Sequence, residues 1–322
     1  MDAGVNMEVG FVSCATPLVQ DFDLAARSAQ HLENVERALE IWVTADAPQG
    51  MDHGAPAELV QAMRYAVLDG GKRLRPLLVL AACEAVQGNQ QGAMRAACAV
   101  ELIHAYSLVH DDMPCMDNDV LRRGKATVHV KFGEATALLA GDALQALAFA
   151  LLTPEGPQVP AGMQASLCRL LARAAGSAGM AGGQAIDLAS VGCTLSENQL
   201  RTMHQLKTGA LLQGSVLMGA ACGQPSPPQL AALQAYGAAL GLAFQVVDDI
   251  LDVTADSATL GKTAGKDALA DKPTYVSILG LERSRAYARA LLGDALHALE
   301  RSGLPQVQAL RALAGMLVNR SS

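Results

Sequence analysis

Residues 101–124 read ELIHAYSLVHDDMPCMDNDVLRRG, an apolar run that ends abruptly in carboxylates and guanidiniums. Asp111 and Asp112 close the run, Asp117 and Asp119 follow, and Arg122 and Arg123 come directly after. A helix of this kind can bury its length only if its charged tip reaches water, a partner or a metal. Grouped carboxylates suit Mg²⁺, which takes a few protein oxygens together with substrate phosphates. Arginine forks match phosphate oxygens bidentately. The stretch therefore reads as a grip on a metal–diphosphate, with a charged, solvated helix end as the plainer alternative.

Spacing adds a constraint. Residues four apart share a helix face, whereas residues six apart, such as Asp111 and Asp117, do not. Pro114 lacks an N–H and clashes one turn back, so the helix is predicted to end or bend at 111–113. Asp117 can then fold back from the loop toward the same ion. The stretch GLAFQVVDDILD at 241–252 is built differently. Asp248 and Asp252 are i and i+4 on a continuous helix, with Asp249 alongside and Gln245 one turn earlier. Buried aspartates there are costly unless paired or metal-bound. Two such patches can face each other across a helical bundle and hold several Mg²⁺ ions around one diphosphate.

Composition narrows the fold. The 322 residues are 51% hydrophobic but only 3% aromatic, which favours a wide all-helical core of small and branched side chains. No strand-like alternation or internal repeat is evident. A net charge of −7 argues against nucleic acid and anionic membrane surfaces. No membrane span and no secretory signal are expected. Seven cysteines without paired spacing read as reduced thiols in a cytoplasmic protein, and no CxxC points to zinc.

Apolar periodicity predicts helices over 29–43, 57–68, 133–152, 163–188, 197–222, 230–253, 275–300 and 305–319. Gly182-Gly183 predict a bend or tight packing within 163–188. After Asp69-Gly70-Gly71, which ends the second helix, come Lys72, Arg73 and Arg75, then Pro76 at a first helical position. Glycines beside three cations suit a diphosphate, and a solvated capping turn is the alternative. Lys207-Thr208-Gly209 lies within an apolar helix, so Lys207 is expected to meet an anion, and Gly209 to loosen the helix. Residues 254–274 form a polar loop with Lys262, Lys266 and Lys272. Residues 1–27 read as an N-terminal extension and 28–322 as one domain. Glu101-x-x-His104 has di-iron bundle spacing, but the second such motif is missing.

Several stretches together carry a resemblance. They are Asp111-Asp112-x4-Asp117 and Asp248-Asp249-x-x-Asp252, with GGKRLRP at 70–76, HVKFGEATALLAGDALQ at 129–145, GGQAIDL at 182–188, KTGALL at 207–212 and LGKTAGKD at 260–267. The chain resembles the trans-isoprenyl diphosphate synthases, in particular the bacterial short-chain branch typified by farnesyl diphosphate synthase. The resemblance implies an all-α bundle around a central cavity, the isoprenoid synthase fold, usually as a homodimer. It implies head-to-tail condensation of isopentenyl diphosphate with an allylic diphosphate. It places three Mg²⁺ per site on Asp111, Asp117 and Asp248, with Mn²⁺ as a substitute. Asp112, Asp249 and Asp252 complete the catalytic motifs. Lys72, Arg75, His104 and Arg123 are implied for isopentenyl diphosphate, and Arg122, Lys207, Thr208, Gln245 and Lys262 for the allylic diphosphate.

Tyr106 and Ser107 stand five and four residues before Asp111, about 6–8 Å deeper along the helix. In the family, an aromatic there together with the longer first motif goes with farnesyl product. Tyr106 is thus expected to form the floor of the chain-length pocket, with core packing as the alternative and geranylgeranyl diphosphate as the second product reading. Terpene cyclases lack the second aspartate motif and the basic site, and non-catalytic subunits lose a motif; both features are intact here. The C-terminus, Arg320-Ser321-Ser322, is less basic than the tails of relatives, which weakens the case for a tail closing over isopentenyl diphosphate.

Overall fold

A computed structural model of the chain describes residues 24–46, 53–68, 70–193, 195–254 and 274–320. The described residues are almost entirely helical. The first half comprises α1 (Leu24–Trp42), α2 (Ala57–Val67), α3 (Leu74–Ala85), α4 (Gln90–Asp111), α5 (Val128–Phe132), α6 (Glu134–Leu152) and α7 (Ala161–Ala175). The second half comprises α8 (Met180–Ala189), α9 (Glu197–His204), a π-turn (Gln205–Gly209), α10 (Ala210–Ala221), α11 (Pro227–Thr254), α12 (Tyr275–Leu279), α13 (Leu281–Ser302) and α14 (Gln308–Val318).

Local chemistry sets the ends that matter for the site. Asn89 caps α4 by accepting from the Gly92 amide at 2.8 Å, supplying one of the bonds the first turn lacks. The far end of α4 stops at Asp111, three residues before Pro114, as the proline requires. A proline pair opens α11, where missing amides cost nothing.

Three expectations need correction. The helix predicted over 163–188 is two helices, α7 and α8. The break falls at Gly176–Gly179, not at Gly182-Gly183, because a Cβ at 179 would lie 2.3 Å from the Ala174 carbonyl oxygen. The helix predicted over 275–300 divides at Gly280, whose φ of +79° favours glycine. A two-stranded hairpin also exists, β1 (Leu121–Arg122) against β2 (Lys125–Ala126). Strands of two residues carry no readable alternation. Their link, Arg123-Gly124, has φ +51° and +77°, as a tight type I′ turn demands.

Two buried clusters organise the bundle. In one, Ala96, Ala97, Leu102 and Ile103 of α4 pack with Ala137, Ala140 and Leu144 of α6. In the other, Leu233, Tyr236 and Leu240 of α11 pack with Ala295, Ala298 and Leu299 of α13. Alanines at these contacts let helix axes approach closely. α3 and α10 pack on one another between the clusters, α3 also against α4 and α10 also against α11. Both α6 and α11 are long and apolar enough to cross a membrane by length and composition alone, yet both pack as helices of the bundle. α11 carries three aspartates, and α6 leaves Leu138 and Leu139 outward and exposed.

Candidate active site

The first aspartate motif is folded back on itself. The Asp117 amide donates to the Asp111 carbonyl at 2.8 Å, and the Asp119 amide to the Asp112 carbonyl at 3.1 Å. Residues six apart thus become neighbours through the loop. The Asp111 carboxyl is pushed up to about 6, first by burial, then by the charges of Asp117 and Asp112, against the opposing pull of Lys207 and Arg122. Asp112 is buried and faces the hairpin, where Arg122 grips it with Nε at 2.8 Å and Nη2 at 2.6 Å. Burial raises the Asp112 carboxyl and the guanidinium offsets part of that rise.

The second motif divides in the same way. Asp248 forms an ion pair with Arg320, whose guanidinium also lies over the Phe244 ring at 4.2 Å. Asp249 is buried and accepts from the Tyr275 amide at 2.7 Å and from Gln245 Nε2 at 2.9 Å. Gln245 Oε1 accepts in turn from the Thr208 hydroxyl at 3.0 Å. Asp252 is buried one turn beyond Asp248. A relay from Thr208 through Gln245 and Asp249 to Tyr275 therefore ties the π-turn to α11 and α12.

The loosening expected at Gly209 is that π-turn, which carries Lys207 and Thr208. Two glycines pinch it. A Cβ at Gly183 would lie 2.0 Å from the Lys207 nitrogen, and one at Gly241 2.7 Å from the Gly209 Cα. Gly182-Gly183 thus mark tight packing. The anion that Lys207 meets is Asp187 of α8, at 2.5 Å.

The basic side is built on Arg73. At the N-cap of α3, with φ +45°, it is buried against Glu36 at 2.6 Å, Glu101 at 2.7 Å and the Val67 carbonyl at 2.7 Å. Burial lowers the Lys72 ammonium, Arg320 and Arg123 lower it further, and Asp248 opposes them. Burial also lowers Arg75, against Glu101 and Asp248, and its Nε is buried without a hydrogen-bond partner. Arg123 donates to the Gly70 carbonyl at 2.7 Å and lies where a Cβ of Gly71 would be 2.8 Å away. The His104 imidazole sits well below its usual range, through burial and then the charges of Arg75, Arg123, Arg122 and Arg73. Burial and these surrounding cations both disfavour a proton on the ring.

Tyr106 and Ser107 lie on α4 behind the motif. The Ser107 hydroxyl is spent on the His104 carbonyl at 2.8 Å. Lys262 lies outside the described residues. The structure also shows residues without a sequence-based role. Asp187 lay within the GGQAIDL stretch, and Arg320 within a tail read as weak. Gln184 and His204 bury side-chain polar atoms that have no hydrogen-bond partner. Burial holds His204 down to about 4, with Asp187 opposing and Lys207 reinforcing.

Every candidate metal donor here is a hard carboxylate oxygen. Hard oxygen donors of this kind suit Mg²⁺, which is held by one or two carboxylates and completed by substrate phosphates and water.

Comparison with known proteins agrees with this geometry. The polyprenyl synthetase family pattern matches residues 56–311. A probable farnesyl diphosphate synthase of Bradyrhizobium diazoefficiens is 52% identical over 260 residues, covering 80% of this chain and 77% of that protein. The heterodimeric geranylgeranyl pyrophosphate synthase large subunit 2 of Arabidopsis thaliana is 44% identical over 292 residues, covering 90% and 75%. A Helicobacter pylori geranyltransferase, crystallised with magnesium and isoprenyl diphosphate, superposes with a TM-score of 0.80 at 35% identity, covering 93% and 99%. Paired aspartate motifs on an all-helical bundle and matches of this extent lead to one conclusion: the chain belongs to the polyprenyl synthetase family and is a prenyltransferase.

Proposed function

We propose that the chain condenses isopentenyl diphosphate with dimethylallyl and geranyl diphosphates, head to tail, to give farnesyl diphosphate. The observation that carries this reading is the pair of separate cationic grips. Lys207 stands on the π-turn, paired with Asp187 of α8, while Lys72 and Arg75 flank Arg73 at the start of α3. Two grips suit two diphosphates, one to be expelled and one to be kept.

Asp111, Asp117 and Asp248 would hold Mg²⁺, three ions per site with Mn²⁺ as a substitute; the Helicobacter pylori relative was crystallised with magnesium. When bound there, Mg²⁺ would supply Lewis acidity toward the leaving diphosphate. As the allylic C–O bond breaks, its electron pair leaves with that diphosphate. Lys207 stabilises the growing charge, and Arg122, anchored on Asp112, adds to the field. Lys262, outside the described residues, is expected to join them. Thr208 and Gln245 turn oxygen dipoles toward the allylic cation. The isopentenyl double bond then attacks it, with its diphosphate held by Lys72, Arg75, Arg123 and His104. The freed diphosphate takes the final proton. Exclusion of water keeps the cation from being quenched.

Tyr106 closes the path of the growing chain beyond Ser107, which favours a C15 product. The Arabidopsis relative, a geranylgeranyl synthase subunit, favours a second reading, a C20 product. The synthase domain takes in α1 from Leu24 and not only from the expected residue 28, because Arg27 of that helix pairs with Glu84 of α3 at 2.8 Å. A homodimer would cover the exposed Leu138 and Leu139 of α6. Free cysteines among the described residues support a cytoplasmic enzyme. The test is chromatography of dephosphorylated products from the purified chain with labelled isopentenyl diphosphate and dimethylallyl diphosphate. Mainly C15 product with Mg²⁺ and none in EDTA is expected; mainly C20 selects the second reading, and no product in any metal overturns both.

A further inference from the structure

We propose that the chain-length floor is a braced assembly, in which His110 holds the Tyr106 ring from a notch left by Gly141, so that His110 and Gly141 are positioning residues for product length. This rests on the reading of Tyr106 as the floor.

Tyr106 and His110 are one turn apart on α4, on one face. Their rings meet edge to face, with centroids 5.7 Å apart and planes at 77°, a preferred geometry for such pairs. The imidazole is itself fixed. Its Nε2 donates to the Leu138 carbonyl of α6 at 3.1 Å, which places the proton on Nε2, because a carbonyl only accepts. Three residues along α6, a Cβ at Gly141 would lie 2.1, 2.5 and 2.8 Å from Nε2, Cδ2 and Cε1 of the same ring. All three of its nearest neighbours are His110 atoms, so the imidazole occupies the space that any side chain at 141 needs. Glycine inside a 19-residue helix is destabilising relative to alanine. The notch for His110 gives that cost a purpose. α6 therefore holds the ring at its side through His110, which is itself fixed on the Leu138 carbonyl and in the Gly141 notch. A lone tyrosine on α4 is free to change rotamer; one packed against a fixed imidazole presents a fixed wall.

The test is the C20:C15 product ratio of His110→Ala, Gly141→Ala and Tyr106→Ala, alone and combined. His110→Ala is expected to raise the ratio about three- to tenfold, the scale of one aromatic edge contact. The rate of the first condensation on dimethylallyl diphosphate should stay within about twofold, since His110 touches neither diphosphate grip. Gly141→Ala should shift the ratio in the same direction by expelling the imidazole, and should add nothing to His110→Ala. In the Tyr106→Ala background, His110→Ala should have no further effect, because nothing remains to be braced. An unchanged ratio in active His110→Ala, or an undiminished shift in the Tyr106→Ala background, overturns the brace. If Tyr106→Ala alone leaves product length unchanged, the floor itself is misplaced and the brace falls with it. If Gly141→Ala does not fold, the His110–Tyr106 cycle decides.

Discussion

The two aspartate motifs reach the same division of labour by different routes. In the first, α4 stops and the chain folds back, so Asp111 and Asp117 meet through a loop. In the second, α11 continues unbroken through Asp248, Asp249 and Asp252. Yet in each adjacent pair one carboxylate, Asp112 or Asp249, is buried and hydrogen-bonded within the fold, and the other, Asp111 or Asp248, is less buried. Asp112 is spent on Arg122 and Asp249 on Gln245 and the Tyr275 amide. The reason is geometric. Successive helical residues point about 100° apart, so two adjacent carboxylates cannot both face one ligand. The second must be satisfied by the fold or be penalised for its burial. The motifs also differ in charge balance. Asp248 meets a guanidinium from Arg320, whereas Asp111 is raised by burial and by its acidic neighbours.

The largest effect that would break this comparison is on turnover. Asp111→Ala and Asp248→Ala should each lower kcat by about 10²–10³, the scale of one main electrostatic element. Steady-state kinetics with both substrates measures it. Near-wild-type turnover in either folded variant would show that only one motif serves the chemistry.

Next comes stability, which separates the members of each pair. Asp249→Ala leaves the Tyr275 amide and the Gln245 side chain without their acceptor, at a cost of about 2–4 kcal/mol. Asp248→Ala, at a partly exposed carboxylate, should cost about 1 kcal/mol or less. Urea unfolding of both variants without metal decides; equal losses would erase the distinction between structural and ligand-facing aspartates.

The smallest effect sharpens the charge contrast. The folded value of Asp111, about 6, lies above the unfolded value of about 3.9. The folded state therefore keeps a proton that the unfolded state releases in that window, and stability falls as pH rises from about 4 to about 6. Asp111→Asn should raise metal-free stability at pH 7 by about 1–2 kcal/mol, discounted for partial exposure, with the gain fading by pH 4. Unfolding midpoints at both pH values check it. A gain of the same size at pH 4 would remove burial of the charge as its cause.

Much of this was legible in one dimension. Pro114 announced the end of α4, and the lysine in an apolar helix announced a partner anion. Apolar periodicity located the helical segments, though not all of their ends and breaks. Breaks at Gly176–Gly179 and Gly280 were not legible. A glycine in a periodic run signals permission to turn, and only the approach of another segment makes the turn necessary. The brace behind Tyr106 was equally hidden, because His110, Leu138 and Gly141 look unremarkable until α4 and α6 are packed together.

By itself the sequence determined an all-helical chain with two carboxylate clusters, a glycine-flanked basic turn and a loosened helix at Lys207. Each of these follows from interactions within a few residues: hydrophobic period, capping, and the backbone limits of proline and glycine. Only the tertiary structure decided which aspartate of each pair serves the fold. Only it showed that Arg73 is the buried anchor between Lys72 and Arg75, that the partner of Lys207 is Asp187, and that the tail reaches Asp248 through Arg320. Asp248 and Arg320 stand 72 residues apart. Such pairings depend on how helices cross, and that is set by the summed packing of the bundle, not by any local stretch.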